Sequence, residues 1–366
     1  MNRPRKYLFN SHSALAIFTV AISLSSVAVF ADEVDKTADA TRLDNATAKK
    51  IVSEPRFTQP IGWQWGHFKN GDAATIRYGL TKADKPIGTV ILLPGFTEFA
   101  EVYFETASEL KRNRLNVFAM DWRGAGGSER FIKSDRSTSF GTQHDLDDLD
   151  QFINVVVKKQ FQCKLPIFLV AHSFGGIVVL RYLHDHPRSI AGAAISAPPL
   201  ACPGATAPSP VVLMCSWLMC RYNKGDEFVP GQGTWELIAK KVSKMSSHSH
   251  DPERVRLEEA WATVNPRLAS GGATWRWLLA LQQSCDKIND SNYSGEIDTP
   301  ILLGCATDDH IANLELERKL AKSLPQCLLT EVKGARHELF LESDSFRDPW
   351  MSRVETFLKD IAEKAH

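Results

Sequence analysis

An apolar run, Pro166 to Val170, leads into Ala171-His172-Ser173-Phe174-Gly175-Gly176, and a helix-like stretch, Ile177 to His186, leads out of it. A strand that turns directly into a helix with a serine at the corner leaves few folds open. Small residues two positions either side of the serine, Ala171 and Gly175, let the backbone double back until the Ser173 hydroxyl projects from the turn. This is the form of a nucleophile elbow, with Ala171 where the commonest version carries glycine. Taken alone, the serine reads equally well as a helix cap. Its meaning depends on what the rest of the chain supplies.

Two later apolar runs also end in polar residues. Pro300 to Cys305 is followed by Asp308, Asp309 and His310, and Cys327 to Val332 by Gly334, Ala335, Arg336 and His337. Ligands of open α/β sheets gather beyond the carboxyl ends of the strands, so an acid after one strand and a histidine after the next converge on the serine. The chain order is Ser, Asp, His. His337 is the expected base, and Asp308 and Asp309 both fit as its partner; His172, beside the serine, points the other way and is expected to be structural. Acyl transfer also needs two backbone N–H donors for the charge that develops on the carbonyl oxygen. Phe174, directly after the serine, supplies one, and Phe96, after the run Val90 to Leu93 and the turn Pro94-Gly95, supplies the other. The glycine-rich loop Asp121 to Ser128 lacks both the G-x-G-x-x-G frame and a Walker lysine, so it reads as an architectural turn rather than a phosphate cradle.

The wider pattern is α/β. Stretches at 62–68 and 73–80 flank Asn70-Gly71, a strong hairpin signal. Apolar runs at 88–93, 115–120, 166–170, 190–195, 300–305 and 327–332 then alternate with helix-like stretches at 100–112, 143–158, 177–186, 314–324 and 350–363. Such alternation means a mostly parallel sheet with helices on both faces. Residues 197–299 interrupt it between two strands and are too long for a structureless loop, which makes them an inserted, mainly helical cap between core segments 61–196 and 300–366. The cap opens with Pro210 to Cys220, whose Met214, Trp217 and Met219 suit an acyl chain and are the expected substrate-binding residues; the competing reading is a helix packed on its neighbours. A second apolar group, around Trp275 and Trp277, is placed to face it.

With these pieces in hand, the chain resembles the lysophospholipase and monoacylglycerol lipase group of the α/β-hydrolase superfamily. The resemblance runs from about Gly62 to Ala362 and rests on Leu93-Pro94-Gly95-Phe96-Thr97-Glu98-Phe99, Asp121-Trp122-Arg123-Gly124, Ala171 to Gly176, Asp309 and Gly334-Ala335-Arg336-His337-Glu338. It implies an α/β-hydrolase fold and a carboxylic ester hydrolase with Ser173, Asp309 and His337 as triad, Asp308 being the fallback acid. Phe96 and Phe174 form the oxyanion hole, and neither metal nor organic cofactor is needed. Pro94 stands where many members have histidine, and Ala171 where most have glycine; neither change removes a catalytic atom. The implied substrate is a lipid ester, lysophospholipid or monoacylglycerol. A carboxylesterase or thioesterase of short soluble substrates is the alternative, and a non-catalytic lipid-binding module a more distant one.

The amino terminus stands apart. Arg3, Arg5 and Lys6 precede an apolar stretch from Ala14 to Phe30 that closes on Val29-Phe30-Ala31, the form of a signal peptide over 1–31, and points to an exported protein; an uncleaved anchor is the alternative. Residues 32–60, rich in charge, alanine and threonine, read as a flexible arm. Without 1–31 the chain carries 40 basic and 43 acidic residues, a balance that invites no nucleic acid. Contact with a membrane surface through the cap is expected to be transient. His248 and His250 offer too few ligands for zinc and read as a solvated loop. Of seven cysteines, Cys202, Cys215, Cys220 and Cys285 fall in the cap with room for one or two disulfides, while Cys305 falls in a buried strand and is expected to be free.

Overall fold

The computed structural model describes residues 42–130, 142–202, 209–237 and 248–364. The signal segment 1–31 and the first part of the arm lie outside the described residues. The sheet has eight strands, β1 (Gln64–Lys69), β2 (Thr75–Thr81), β3 (Gly88–Leu93), β4 (Leu115–Met120), β5 (Ile167–His172), β6 (Gly192–Ser196), β7 (Ile301–Ala306) and β8 (Cys327–Val332). Their spatial order is β1-β2-β4-β3-β5-β6-β7-β8. The β1–β2 hairpin turns at Asn70, whose side-chain oxygen accepts the N–H groups of Asp72 and Ala74. β2 also runs antiparallel to β4, and every pairing from β4 across to β8 is parallel. Strands β3, β5, β6 and β7 are buried along their whole length, as a sheet covered on both faces requires.

Helices α2 (Phe104–Arg112), α3 (Thr142–Gln151), α4 (Phe174–Asp185), α9 (Leu314–Ser323) and α10 (Asp344–Lys364) supply that cover. Between β6 and β7 come the cap helices α5 (Ser209–Arg221), α6 (Leu257–Val264), α7 (Trp275–Asn289) and α8 (Ser291–Gly295). Helix α5 packs against α7, the pairing expected of the two apolar groups in the cap. In the other half of the cap Arg254, 2% exposed, donates to Glu105, Asp344 and the Glu342 carbonyl, fastening this stretch to the core.

Residues 42–60 depart from the expected flexible arm. Asp44 caps helix α1 (Asn45–Val52) by accepting the Thr47 N–H, and the helix packs on cap helix α6 with Leu43, Ala48 and Ile51 buried. The Leu43 N–H donates to buried Glu259 across the junction, and Arg56 pairs with Glu253. Enough apolar surface is covered here to offset the ordering of a polar-looking segment.

The cap cysteines do not pair. All seven cysteines are free thiols; Cys202 donates to the Gln282 side chain, Cys285 to the Pro199 carbonyl, and Cys163 lies 3.0 Å from the Thr89 hydroxyl. Cys305 is buried in β7.

Candidate active site

The site forms where the strand order reverses, between β3 and β5. Leu93 pairs with Ala171, so the loop that leaves β3 and the turn that leaves β5 emerge side by side. At that turn Ser173 takes φ 48° and ψ −120°, a conformation costing a non-glycine residue about 1–3 kcal/mol. Its neighbours hold it there: the Ser173 N–H donates to the Ser196 carbonyl, and its own carbonyl accepts the Gly176 N–H. A side chain at Gly175 would lie 2.5 Å from the Leu93 carbonyl oxygen and 2.7 Å from that of Pro94, so only glycine lets the two loops touch. Ala171 sits on the strand and is buried without difficulty.

Three side chains from three strand ends meet in this gap. Ser173 Oγ lies 3.0 Å from His337 Nε2, and His337 Nδ1 lies 2.8 Å from Asp309 Oδ2. The second Asp309 oxygen accepts the N–H groups of Ile311 and Ala312, which fixes the carboxylate plane. Asp308 points elsewhere, half exposed and loosely paired with His310 and Arg336. Burial opposes charge on Asp309, but His337 and the two amides outweigh it and hold the carboxyl below its ordinary range. Burial likewise disfavours the His337 cation, and the Asp309 charge reverses this, leaving the imidazole above its ordinary value. A serine hydrogen-bonded to such a base is equipped to attack a carbonyl carbon.

Next to this line of three lie the two amides expected as donors. Among the described residues neither the Phe96 nor the Phe174 N–H donates to a main-chain carbonyl. Phe174 is the first residue of α4, where N–H groups are free by construction. Trp277 from cap helix α7 packs at a tilt against both side chains, its ring centroid 4.0 Å from that of Phe96 and 5.6 Å from that of Phe174. On α5, Met214 and Trp217 are exposed, whereas Met219 is half-buried on the side of buried Val212 and Ser216.

Behind the site is a cluster of charged side chains drawn from distant parts of the chain. His172 packs edge-on against the His337 ring, centroids 4.8 Å apart, and is held from behind: its Nδ1 is 2.9 Å from Ser196 Oγ, and its Nε2 forms an ion pair at 2.9 Å with Glu338, without hydrogen-bond alignment. Burial disfavours the His172 cation, but Glu338 and Glu98 outweigh it and push the imidazole up to about 9. Glu98 is pushed up to about 7 by burial and the Glu338 charge, and Glu258, from the cap, to about 8 by burial and the Glu98 charge. His248 and His250 are not simply solvated. Each faces a glutamate, His248 at 3.6 Å from Glu338 and His250 at 2.7 Å from Glu342, so they diverge rather than share a ligand. Among the described residues His172, His337 and Glu338 approach metal-binding spacing, but His337 is engaged by Ser173 and Asp309 and the other two by each other. The loop Asp121 to Ser128 is architectural: Asp121 binds Arg77 and the N–H groups of Ala100 and Gly127, and a side chain at Gly126 would strike Asp121.

Known proteins share this architecture. A soluble variant of monoglyceride lipase from Saccharomyces cerevisiae, solved with a substrate analog, superposes with a TM-score of 0.65 at 21% identity, over 83% of this chain and 95% of the other. Lysophospholipase L2 of Escherichia coli strain K12 is 23% identical over 301 residues, 79% of this chain and 86% of its own. Monoglyceride lipase of S. cerevisiae is 25% identical over 274 residues, 70% of this chain and 80% of its own. The family model Hydrolase_4, described as serine aminopeptidase, S33, matches residues 84–344. With that match spanning most of the described core and cap, the chain belongs to this family of α/β-hydrolases.

Proposed function

We propose that the protein hydrolyses carboxylic esters of lipids, lysophospholipids or monoacylglycerols, through a Ser173–His337–Asp309 triad and an acyl-enzyme. One observation carries the reading: Ser173 Oγ, His337 Nε2 and Nδ1, and Asp309 Oδ2 form an unbroken line at 3.0 and 2.8 Å beside two uncommitted amides. The names of the relatives, lysophospholipase and monoglyceride lipase, favour a lipid ester.

In this mechanism His337 Nε2 takes the Ser173 proton as Oγ attacks the ester carbonyl, and Asp309 orients the imidazole and balances its charge. The Phe96 and Phe174 N–H groups receive the oxyanion, each worth about 3 to 4 kcal/mol of transition-state stabilisation. His337 then protonates the leaving alcohol, and water, deprotonated by the same nitrogen, releases the fatty acid. The acyl chain runs along the Phe96, Trp277 and Phe174 rings towards Met219, while exposed Met214 and Trp217 rest against the lipid surface from which substrate is drawn. An export segment over 1–31 would place this activity outside the cytoplasm.

The test is hydrolysis of lysophosphatidylcholine, monoacylglycerol and short nitrophenyl esters side by side, with Ser173→Ala as control and a fluorophosphonate probe to label Ser173. Fatty acid release from the long-chain lipids, lost in the variant, is expected. Turnover of short esters alone would move the assignment to a carboxylesterase, and an unlabelled Ser173 in folded protein would remove it.

A further inference from the structure

Between Pro94 and Gly95 lies one peptide unit whose two polar atoms are both held by side chains. Its carbonyl oxygen accepts the indole N–H of Trp122 at 2.8 Å, and its N–H, that of Gly95, donates to Glu98 Oε2 at 2.5 Å. A peptide plane pinned at both ends cannot rotate without breaking one of the bonds. The next N–H along the chain is that of Phe96. We propose that Glu98 is a positioning residue for the oxyanion hole: with Trp122 it locks the Pro94–Gly95 peptide so that the Phe96 N–H is aimed at the reacting carbonyl. This rests on the serine-hydrolase reading above and extends it to a residue that touches neither substrate nor triad.

Three further observations support the assignment. Glu98 is only 5% exposed, and a carboxyl buried so deeply is costly unless its bonds serve the fold or the site. Its Oε2 also accepts the Tyr103 hydroxyl at 2.6 Å, so the acceptor is itself held from the far side. The loop is moulded on it as well: a Cβ at Gly95 would lie 2.7 Å from Glu98 Oε2 and 3.1 Å from His172 Cδ2. Beyond Phe96 the chain tightens again at Thr97, φ 69°, whose hydroxyl donates to the Phe96 carbonyl. The donor amide therefore sits between two fixed points, one on each side.

The charge of Glu98 is no obstacle to an anion forming nearby. The His172 imidazolium lies against the same loop and is in turn held by Glu338. The acceptor function needs only an oxygen, so an amide at this position should serve in place of the carboxyl. That distinction makes the proposal testable.

Steady-state kinetics of Glu98→Ala, Glu98→Gln and Tyr103→Phe on a monoacylglycerol, with folding checked by circular dichroism and Tm, provide the test. Glu98→Ala should lower kcat by about ten- to a hundredfold with KM little changed, the loss expected when a donor is misaligned rather than removed. Affinity for an alkyl trifluoromethyl ketone, whose serine adduct carries an oxyanion, should fall in parallel, while affinity for the fatty acid product should not. Glu98→Gln should restore most of kcat, and Tyr103→Phe should show a smaller loss in the same direction. Unchanged kcat in folded Glu98→Ala overturns the proposal, as does a rise in KM alone or equal losses for Ala and Gln. If Glu98→Ala fails to fold, Trp122→Phe removes the other pin and must lower kcat in the same way for the proposal to stand. A wild-type protein that neither turns over esters nor labels at Ser173 would remove the underlying reading as well, whereas an active wild type with an indifferent Glu98→Ala removes this inference alone.

Discussion

In the floor of the site the side chains of Ser173, His337 and Asp309 are almost wholly buried and bonded to one another, whereas in the roof helix α5 leaves Met214 56% and Trp217 54% exposed. The floor is made of strand ends tied to a continuous sheet, where a shift of one residue disturbs its neighbours on both sides. The α5 roof lies on α7 by apolar contact, which tolerates sliding and exchange of side chains. Within the roof itself the stretch around Arg254 is pinned by buried charges and by helix α1. The proposed chemistry therefore sits on strand ends tied into the sheet, and the proposed lipid contacts on a helix held by apolar packing.

Substitutions in the two regions should differ in size and in kind. The largest effect belongs to the floor. Ser173→Ala and His337→Ala should each cut kcat by about a thousandfold or more, and the double variant should lose little beyond either single one, because the two act as a unit. Additive losses would show that they do not. Asp309→Asn should cost about a hundredfold or more in kcat by releasing the imidazole from its fixed orientation. Asp308→Asn, which alters a half-exposed side chain only loosely paired with His310 and Arg336, should leave kcat near the wild-type level; the opposite ranking would exchange the two acids. In the roof, the double change Met214→Ser and Trp217→Ser should raise KM for long-chain substrates about tenfold, the loss of roughly 1.4 kcal/mol of apolar contact, with kcat on a short nitrophenyl ester unmoved. A fall in kcat on both substrates would break the division between the regions.

The smallest effect is a shift in pH dependence. A histidine base works only when neutral, and Asp309 holds the imidazole of His337, the proposed base, above its ordinary value, so kcat/KM should fall on the acid side with a midpoint above the usual histidine range. Removing the Asp309 charge lowers that midpoint, moving the acid limb to lower pH. The α5 substitutions should leave it in place. A profile that moved with Trp217 and not with Asp309 would reverse the comparison.

Much of the floor was legible in the sequence because its parts are local. Ser173 is marked by the small residues around it, and the backbone contacts of Gly175 with Leu93 and Pro94 supply the physical reason for the second of them. The apolar runs marked the strands, and the order in which their ends carry Ser, Asp and His marked the convergence. Asp309 and Asp308 were not separable by position alone; what distinguishes them is the pair of N–H groups, Ile311 and Ala312, waiting for one and not the other. The cluster of Glu98, His172, Glu258 and Glu338 was not legible, since four residues far apart in the chain leave no spacing to detect. A local trace of it is the acid three residues beyond Gly95, set between Phe96 and Phe99. Helix α1 was hidden by composition, although Asp44 with Thr47, and Leu43, Ala48 and Ile51 on one face, carried a cap and an apolar stripe.

The docking of α1 on α6 also bears on the order in which the molecule assembles. Leu43 and Glu259 are 216 residues apart, so one of the earliest described segments to emerge during synthesis finds its partner only after most of the sheet has been made. Contacts of such long range close late, because the loop entropy they require is met only once the intervening chain is compact. Until then the apolar stripe of Leu43, Ala48 and Ile51 has nothing to cover it. Burial of this early segment therefore depends on cap residues made much later, and a nascent chain that ends before Leu257–Val264 leaves an apolar stripe open to whatever chaperone or membrane it meets.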